Sequence, residues 1–262
     1  MKYIQFLKSI FNKALDSILF ILINRKKIIH HNGVEIYLHT SSSLMNYRAK
    51  TFSTKEPETL EWIDSFKKNS VFIDIGANVG LYSLYAVKKR FANCYAFEPS
   101  YFNLEFLARN IYLNKAQEKI TIIPVPLNNK NSISNFQLKD TNWSGALSTF
   151  EKGIDEYGQN FIANFEYKTI GFNGDFLINS FNIKPDYIKI DVDGIEEHIL
   201  DGLTIIIKDV REILIEINTN NSEQIKKINK FMNEHQFECN KICLKGFEGS
   251  SFRNEIWKNK MI

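Results

Sequence analysis

Cysteine is scarce in this 262-residue sequence, with only Cys94, Cys239 and Cys243. An odd and sparse set builds no disulfide framework, and Cys239 and Cys243 lack the further Cys or His pair of a zinc site. All three are therefore expected as buried thiols in a reducing compartment. Excess charge of one sign is also missing: 33 Lys and Arg against 30 Asp and Glu leave a net charge of +3. The basic residues are spread along the chain and form no stripe. No Asn/Asp-Pro-Pro-Tyr/Phe motif for exocyclic amines occurs, so a nucleic-acid partner is not expected. A mildly cationic chain remains compatible with anionic sugar nucleotides or lipid headgroups. The apolar run Ile18–Ile23 is far short of the ~18 residues of a spanning helix. Flanking charges and the lack of a small-residue cleavage site argue against a signal peptide. There is no internal repeat and no low-complexity tract. With 44% hydrophobic and 24% charged residues, disordered and collagen-like chains are excluded.

What is present is enough for one sizeable core. The expected organisation is an appendage over residues 1–50, an amphipathic helix and a hairpin, followed by a main domain over 51–262. At the start, Ile4, Leu7, Phe11, Ala14, Leu15, Ile18, Leu19 and Leu22 recur at helical spacing, with Lys2, Lys8, Lys13 and Asp16 between them. Two readings stay open. The helix packs on its own domain, or it lies on the inner face of a membrane with Arg25, Lys26 and Lys27 near the headgroups. The location expected is the cytoplasm, with membrane contact limited to residues 1–27.

Lys27–His30 and Val34–Leu38 read as strands around Asn32-Gly33, a strong hairpin signal. Residues 40–55 read as polar and irregular, and Pro57 opens a helix to about Phe66. From Val71 the pattern alternates: strands at 71–75, 94–97 and 120–125, helices at 81–89 and 104–113. Residues 128–170 are less regular, with a strand at 133–138. Strands at 187–192 and 212–217 flank a helix near 196–203. A helix at 223–235 and a strand near 241–244 finish the pattern. Such alternation predicts an α/β fold with a mostly parallel sheet and helices on both faces.

The most informative stretch is Val71-Phe-Ile-Asp-Ile-Gly-Ala-Asn-Val-Gly80. Gly76 and Gly80 flank a strand-to-helix turn where the backbone must bend sharply and admit a ligand. The dinucleotide fingerprint Gly-x-Gly-x-x-Gly fails here, because Asn78 and Leu81 occupy two of its three glycine positions. Asp74 would repel a pyrophosphate but suits a ligand carrying a cation. Glu98, in Ala-Phe-Glu-Pro, ends the next strand about 20 residues on, where an acid can accept hydrogen bonds from ribose hydroxyls.

These segments, with Leu107-Ala-Arg-Asn-Ile-Tyr-Leu-Asn114, Lys189-Ile-Asp-Val-Asp-Gly-Ile-Glu196, Leu200-Asp-Gly202 and Ile213-Leu-Ile-Glu-Ile217, resemble the FkbM family of methyltransferases. The resemblance covers roughly residues 50–220 and includes the lead-in Thr54–Trp62. It implies a Rossmann-like class I fold with a seven-stranded sheet, S-adenosyl-L-methionine (AdoMet) as cofactor, and methylation of a hydroxyl, often on a sugar or polyketide. It further implies that Asp74, Gly76, Asn78 and Gly80 hold the methionine portion, Glu98 the ribose, and Leu127 and Asn128 border the adenine. Two departures stand out. Pro126-Leu127 replaces a small Ala-Val pair, and Asp193 replaces the family's more frequent Glu.

Methyl transfer needs an aligned and activated acceptor oxygen. Asp191, at the end of a central strand, is expected to face the cleft, with Asp193 and Glu196 nearby. Three roles stay open: Asp191 and Asp193 work catalytically, with Asp191 as general base; the carboxylates bind Mg²⁺ with the acceptor; or they only hydrogen-bond AdoMet and backbone. Glu216 reads equally as a paired structural acid or an acceptor contact. Trp143, Ser144 and Gly145 read as an acceptor-side loop or ordinary surface, and His30, His31, His39 and His198 have nothing to orient them. The function expected is O-methylation of a glycan in bacterial surface-polysaccharide assembly. Other small-molecule, lipid or peptide acceptors, or a non-catalytic AdoMet-binding scaffold, are the rivals.

Overall fold

The computed structural model describes residues 2–151, 153, 159–243 and 251–262, without the side chains of residues 2–4 and 7. The chain opens with α1 (Lys2–Ile23), followed by the hairpin of β1 (Lys26–His31) and β2 (Val34–His39). Asn32 (φ 44°) and Gly33 (φ 77°) make the turn, as the two-residue hairpin requires. Next comes α2 (Ser43–Lys55), where the sequence predicts an irregular stretch. This is a correction with a clear cause. Ser42 Oγ accepts the Met45 N–H at 3.2 Å as an N-cap, and Met45, Ala49 and Phe52 alone bury the inner face. Polar residues on the remaining faces mask that sparse repeat. The helix α3 (Pro57–Asp64) starts on its proline as predicted.

The alternating region gives β3 (Val71–Ile75), α4 (Leu81–Arg90), β4 (Asn93–Phe97), α5 (Tyr101–Leu113) and β5 (Ile120–Ile123). The middle stretch holds β6 (Leu127–Asn128), β7 (Ser132–Leu138), β8 (Ser148–Phe150), β9 (Phe165–Asn173) and α6 (Gly174–Ser180). The chain ends with β10 (Tyr187–Ile190), α7 (Glu196–Asp201), a 3-10 turn at Ile206–Asp209, β11 (Glu212–Asn218), α8 (Ser222–Glu234), β12 (Phe237–Cys243) and β13 (Phe252–Asn259). Of the strand predicted near 241–244, Leu244 lies outside the described residues; the described part belongs to β12, which starts earlier. β13 has no counterpart in the sequence reading.

Seven strands form one sheet in the order β12-β13-β11-β10-β3-β4-β5. β11 through β5 run parallel, and β13 is antiparallel to both its neighbours. This is the Rossmann-like, mostly parallel sheet that the sequence predicts. Alternation along each strand sends Ile73, Ile75, Ile188, Ile190, Ile213 and Ile215 to one core layer. Phe72, Cys94, Ala96, Tyr187 and Leu214 go to the other, which also takes Ile36 and Leu38 of the hairpin and Phe52 of α2. The strand order steps outward from β3 to β5, then reverses through β10 to β11. A crevice is therefore expected where β3 and β10 end side by side.

Two further corrections concern the surface. Cys94 and Cys243 are buried, but Cys239 is exposed, because it lies on β12, the edge strand, whose middle residues face solvent. Nor does α1 pack on the body: every described side chain from Gln5 to Leu22 is exposed. No helix among the described residues is long and apolar enough to cross a membrane.

Candidate functional site

The crevice at the switch point is built first by the turn between β3 and α4. Gly76 (φ 82°) lies so close to β10 that a Cβ on it would sit 1.9 Å from the Asp191 carbonyl oxygen. Its N–H and that of Ala77 both donate to Phe97 O at 3.0 Å, which ties the turn to the end of β4. The carboxylate of Glu98 then gathers what lies around it. It accepts the Asn78 N–H at 2.8 Å and the Ser100 N–H at 2.8 Å. Burial pushes the Glu98 carboxyl up to about 7, despite the Ser100 and Asn78 N–H bonds that favour the ion.

Gly76, Asn78 and Glu98 line one cavity with Ile75, Phe97, Asn103, Val125, Leu127, Phe136 and Phe150. That part is a mainly apolar slot with a few polar groups, the usual make-up of a small-molecule site. The same cavity also has charged lining residues: Arg48, Lys55, Glu56, Lys189, Asp191 and Glu216. Lys189 is only 1% exposed. Its Nζ lies 2.5 Å from Asp191 Oδ2 and 5.0 Å from the centre of the Tyr82 ring. Burial alone would raise the Asp191 carboxyl; Lys189, then Lys55 and Arg48, outweigh it and hold Asp191 below its ordinary value. Glu216 moves the other way. Burial pushes it well above the usual carboxylate range, and Asp191 and Glu56 add to the shift.

Residues 142–150, called the roof below, bring Gly145, Ala146, Ser148, Thr149 and Phe150 to the cavity. Gly145 O accepts Nδ2 of Asn78 at 2.8 Å and Nδ2 of Asn103 at 3.1 Å. Ser144 Oγ donates to Asn78 Oδ1 at 3.0 Å, while Arg48 Nη2 donates to Ser144 O at 3.0 Å. The Leu147 N–H donates to Asp193 Oδ2 at 2.7 Å. Gly145, Ala146 and Ser148 line the cavity, but Trp143 does not; its ring packs 5.0 Å from that of Phe106.

Of the residues singled out from sequence, Gly76, Asn78, Glu98, Leu127, Asp191 and Asp193 line the cavity. Asp74, Gly80 and Asn128 do not. Asp74 accepts Ser83 Oγ at 2.6 Å, while its other oxygen is buried without a partner; burial raises its carboxyl. Gly80 (φ 83°) starts α4 and packs on α5, where a Cβ would meet Leu107 at 2.5 Å. Asn128 Nδ2 donates to Glu151 Oε2 at 2.5 Å.

The three carboxylates of the 191–196 span also part company. Asp191 meets Lys189, Asp193 holds Leu147, and Glu196 turns inward. The last accepts the Val192 and Gly194 N–H groups and Nε2 of Gln224, and burial pushes it up to about 8. Among the described residues no group of three or more His, Cys, Asp or Glu could hold a metal ion. His30, His31, His39 and His198 are not on the cavity wall.

Sequence reasoning missed Lys189, Asn103 and the wall from Arg48 to Glu56. For Lys189 a signal existed: a lysine inside an apolar strand, two residues before an aspartate, points to the same face of the sheet.

Comparison with known proteins adds independent findings. The Methyltransferase FkbM domain family matches residues 74–239. The hexuronic acid methyltransferase AglP of Haloferax volcanii is 27% identical over 158 residues, which are 60% of this chain and 59% of that protein. The chain therefore aligns with less than two thirds of that relative's length. Among solved structures, TYW2 of M. jannaschii in complex with AdoMet aligns over 90% of this chain and 87% of its own, at 11% identity and a TM-score of 0.48. Precorrin-6y C5,15-methyltransferase of Geobacter metallireducens aligns over 78% and 86%, at 15% identity and a TM-score of 0.45.

Proposed function

We propose, because the chain belongs to the FkbM methyltransferase family, that it transfers the methyl group of AdoMet to a sugar hydroxyl, in the assembly of a surface glycan. One observation carries the reading: the Gly76 turn and the Glu98 carboxylate share a single cavity with Asp191. The residues present fit the cofactor. Gly76 lets the turn pack against the Asp191 backbone, where a Cβ would stand 1.9 Å from the carbonyl oxygen, and so brings the turn to the cavity beside Asp191. Glu98 is an acceptor suited to a ribose diol, and Val125, Leu127 and Phe136 offer apolar faces to an adenine. AdoMet supplies, when bound, an electrophilic methyl group on a sulfonium.

The rest is the work of this chain. Glu98 binds through its carboxylate, and residues 145–150 exclude water. Asp191 is the catalytic residue in this reading: held ionised by Lys189, it accepts a hydrogen bond from the acceptor hydroxyl, orients its oxygen and takes up its proton. Asp193 is a positioning residue, because its carboxylate fixes Leu147 in the cavity's roof. A sugar acceptor is supported by the name of the Haloferax volcanii relative.

Calorimetric titration with AdoMet, followed by an assay of S-adenosylhomocysteine release over a panel of neutral and uronic-acid glycans, tests the reading. Saturable binding with turnover on a sugar is expected. Binding without turnover on any sugar would favour a scaffold, and no binding would remove the cofactor assignment.

A further inference from the structure

The helix α1 is amphipathic, yet among the described residues nothing covers it. At the helical period, Ile10, Phe11, Leu15, Ile18, Ile21 and Leu22 fall within an arc of about 140°, and all six are exposed. Gln5, Lys8, Asn12, Lys13 and Asp16 occupy the other side. An uncovered apolar stripe of this length marks a contact surface. Two observations say what covers it.

The first is charge. Residues 1–27 hold six Lys or Arg against one Asp, a net +5, so the rest of the chain is at −2 within the whole-chain +3. The cations of that segment end in an exposed cluster, Arg25, Lys26 and Lys27, which lines a surface groove with the first turn of α2 at Ser42, Ser43 and Asn46. The second is the shape of the apolar surface. Over Ile18–Ile23 the helix is apolar all round: Phe20, on the side opposite Ile18, is 70% exposed and Ile18 is 54% exposed. A partner helix covers one side only. A lipid interface surrounds an inserted segment and leaves lysines on the polar side with water and phosphate.

We propose that α1, with Arg25, Lys26 and Lys27 at its end, seats this protein on an anionic lipid surface, lying in the interface and not crossing it. The inference stands on α1 alone and does not depend on the chemistry of the cavity.

Co-sedimentation of the full chain with vesicles tests it. Vesicles of phosphatidylcholine with phosphatidylglycerol are expected to carry the protein down, with binding at least about tenfold weaker on phosphatidylcholine alone and weakened by salt. F11E/I18E is expected to lower binding by about a hundredfold. K26E/K27E, which leaves the helix intact, is expected to lower it about tenfold or more on the anionic vesicles. An unchanged thermal unfolding midpoint in both variants reports that the fold persists. The proposal is overturned if wild type stays in the supernatant with both lipids, or if both variants bind as wild type does. It is also overturned if sedimentation velocity shows α1 pairing two copies, with F11E/I18E monomeric and wild type indifferent to lipid.

Discussion

At the residue scale, Glu98 and Asp191 face one cavity with opposite electrostatics. Glu98 is buried without a cation, and its carboxyl lies near 7; Asp191 is buried against Lys189 and lies below its ordinary value. Ribose hydroxyls donate hydrogen bonds, so the proposed role of Glu98 requires its ionised form. AdoMet affinity should therefore rise with pH through about 7, by about tenfold between pH 6 and pH 8. Glu98→Gln should be weaker and lose that pH dependence; isothermal titration at several pH values reads both. The same shift acts on stability. A carboxyl raised in the folded state favours folding fully below its unfolded value of about 4.3, and that contribution is lost as pH rises through about 7. Denaturant midpoints of the ligand-free protein should accordingly fall across this window, less steeply in Glu98→Gln. Asp191→Asn should reduce turnover by roughly a hundredfold or more and leave AdoMet affinity within about threefold. An equal loss in both would make Asp191 a cofactor ligand only.

At the element scale, the turn after β3 and the roof over residues 142–150 are each held by a few contacts. Gly76→Ala meets the Asp191 carbonyl oxygen and must keep a positive φ. A cost of at least about 2 kcal/mol follows, a fall of roughly 4–8 °C in Tm for a chain of this size. Thermal unfolding measures it, and an unchanged Tm would mean that β3 and β10 do not meet so closely. Asp193→Asn keeps an oxygen for the Leu147 N–H, whereas Asp193→Ala does not. The first should retain most turnover, and the second should raise the KM for AdoMet several-fold by loosening the roof. Equal damage from the two would call for a charged role of Asp193.

These elements also show what could be read in advance. The β3 turn was legible because strand, glycines and helix are contiguous, and Glu98 because β4 ends one crossover later. The roof was not, because Asn78, Asn103, Arg48 and Asp193 reach it from four separate segments. Asp74 was expected at the ligand because it precedes the glycines. Asp74 lies inside β3 in register with Lys189 of β10, and its carboxylate is buried and accepts the Ser83 hydroxyl of α4.

At the scale of the whole molecule, the reversal of strand order between β3 and β10 places the cavity. Gly76, Lys189 and Asp191 meet where those two strands end. The sequence made the parallel core visible through its apolar runs, but not β13, which inserts between β11 and β12 although it comes last in the chain. No local pattern encodes such a return. Likewise α2 was hidden, although it carries Arg48 and Lys55 to the cavity wall.

The central claim is that the Gly76 turn and Glu98 form the seat of a sulfonium nucleoside. Calorimetric titration of S-adenosylhomocysteine into wild type and Glu98→Ala at pH 8 tests it most directly. The account predicts one saturable site in wild type and at least about tenfold weaker binding in the variant, as for a lost hydrogen-bonded charge. Absence of binding in wild type, or equal affinity in the two proteins, would contradict it.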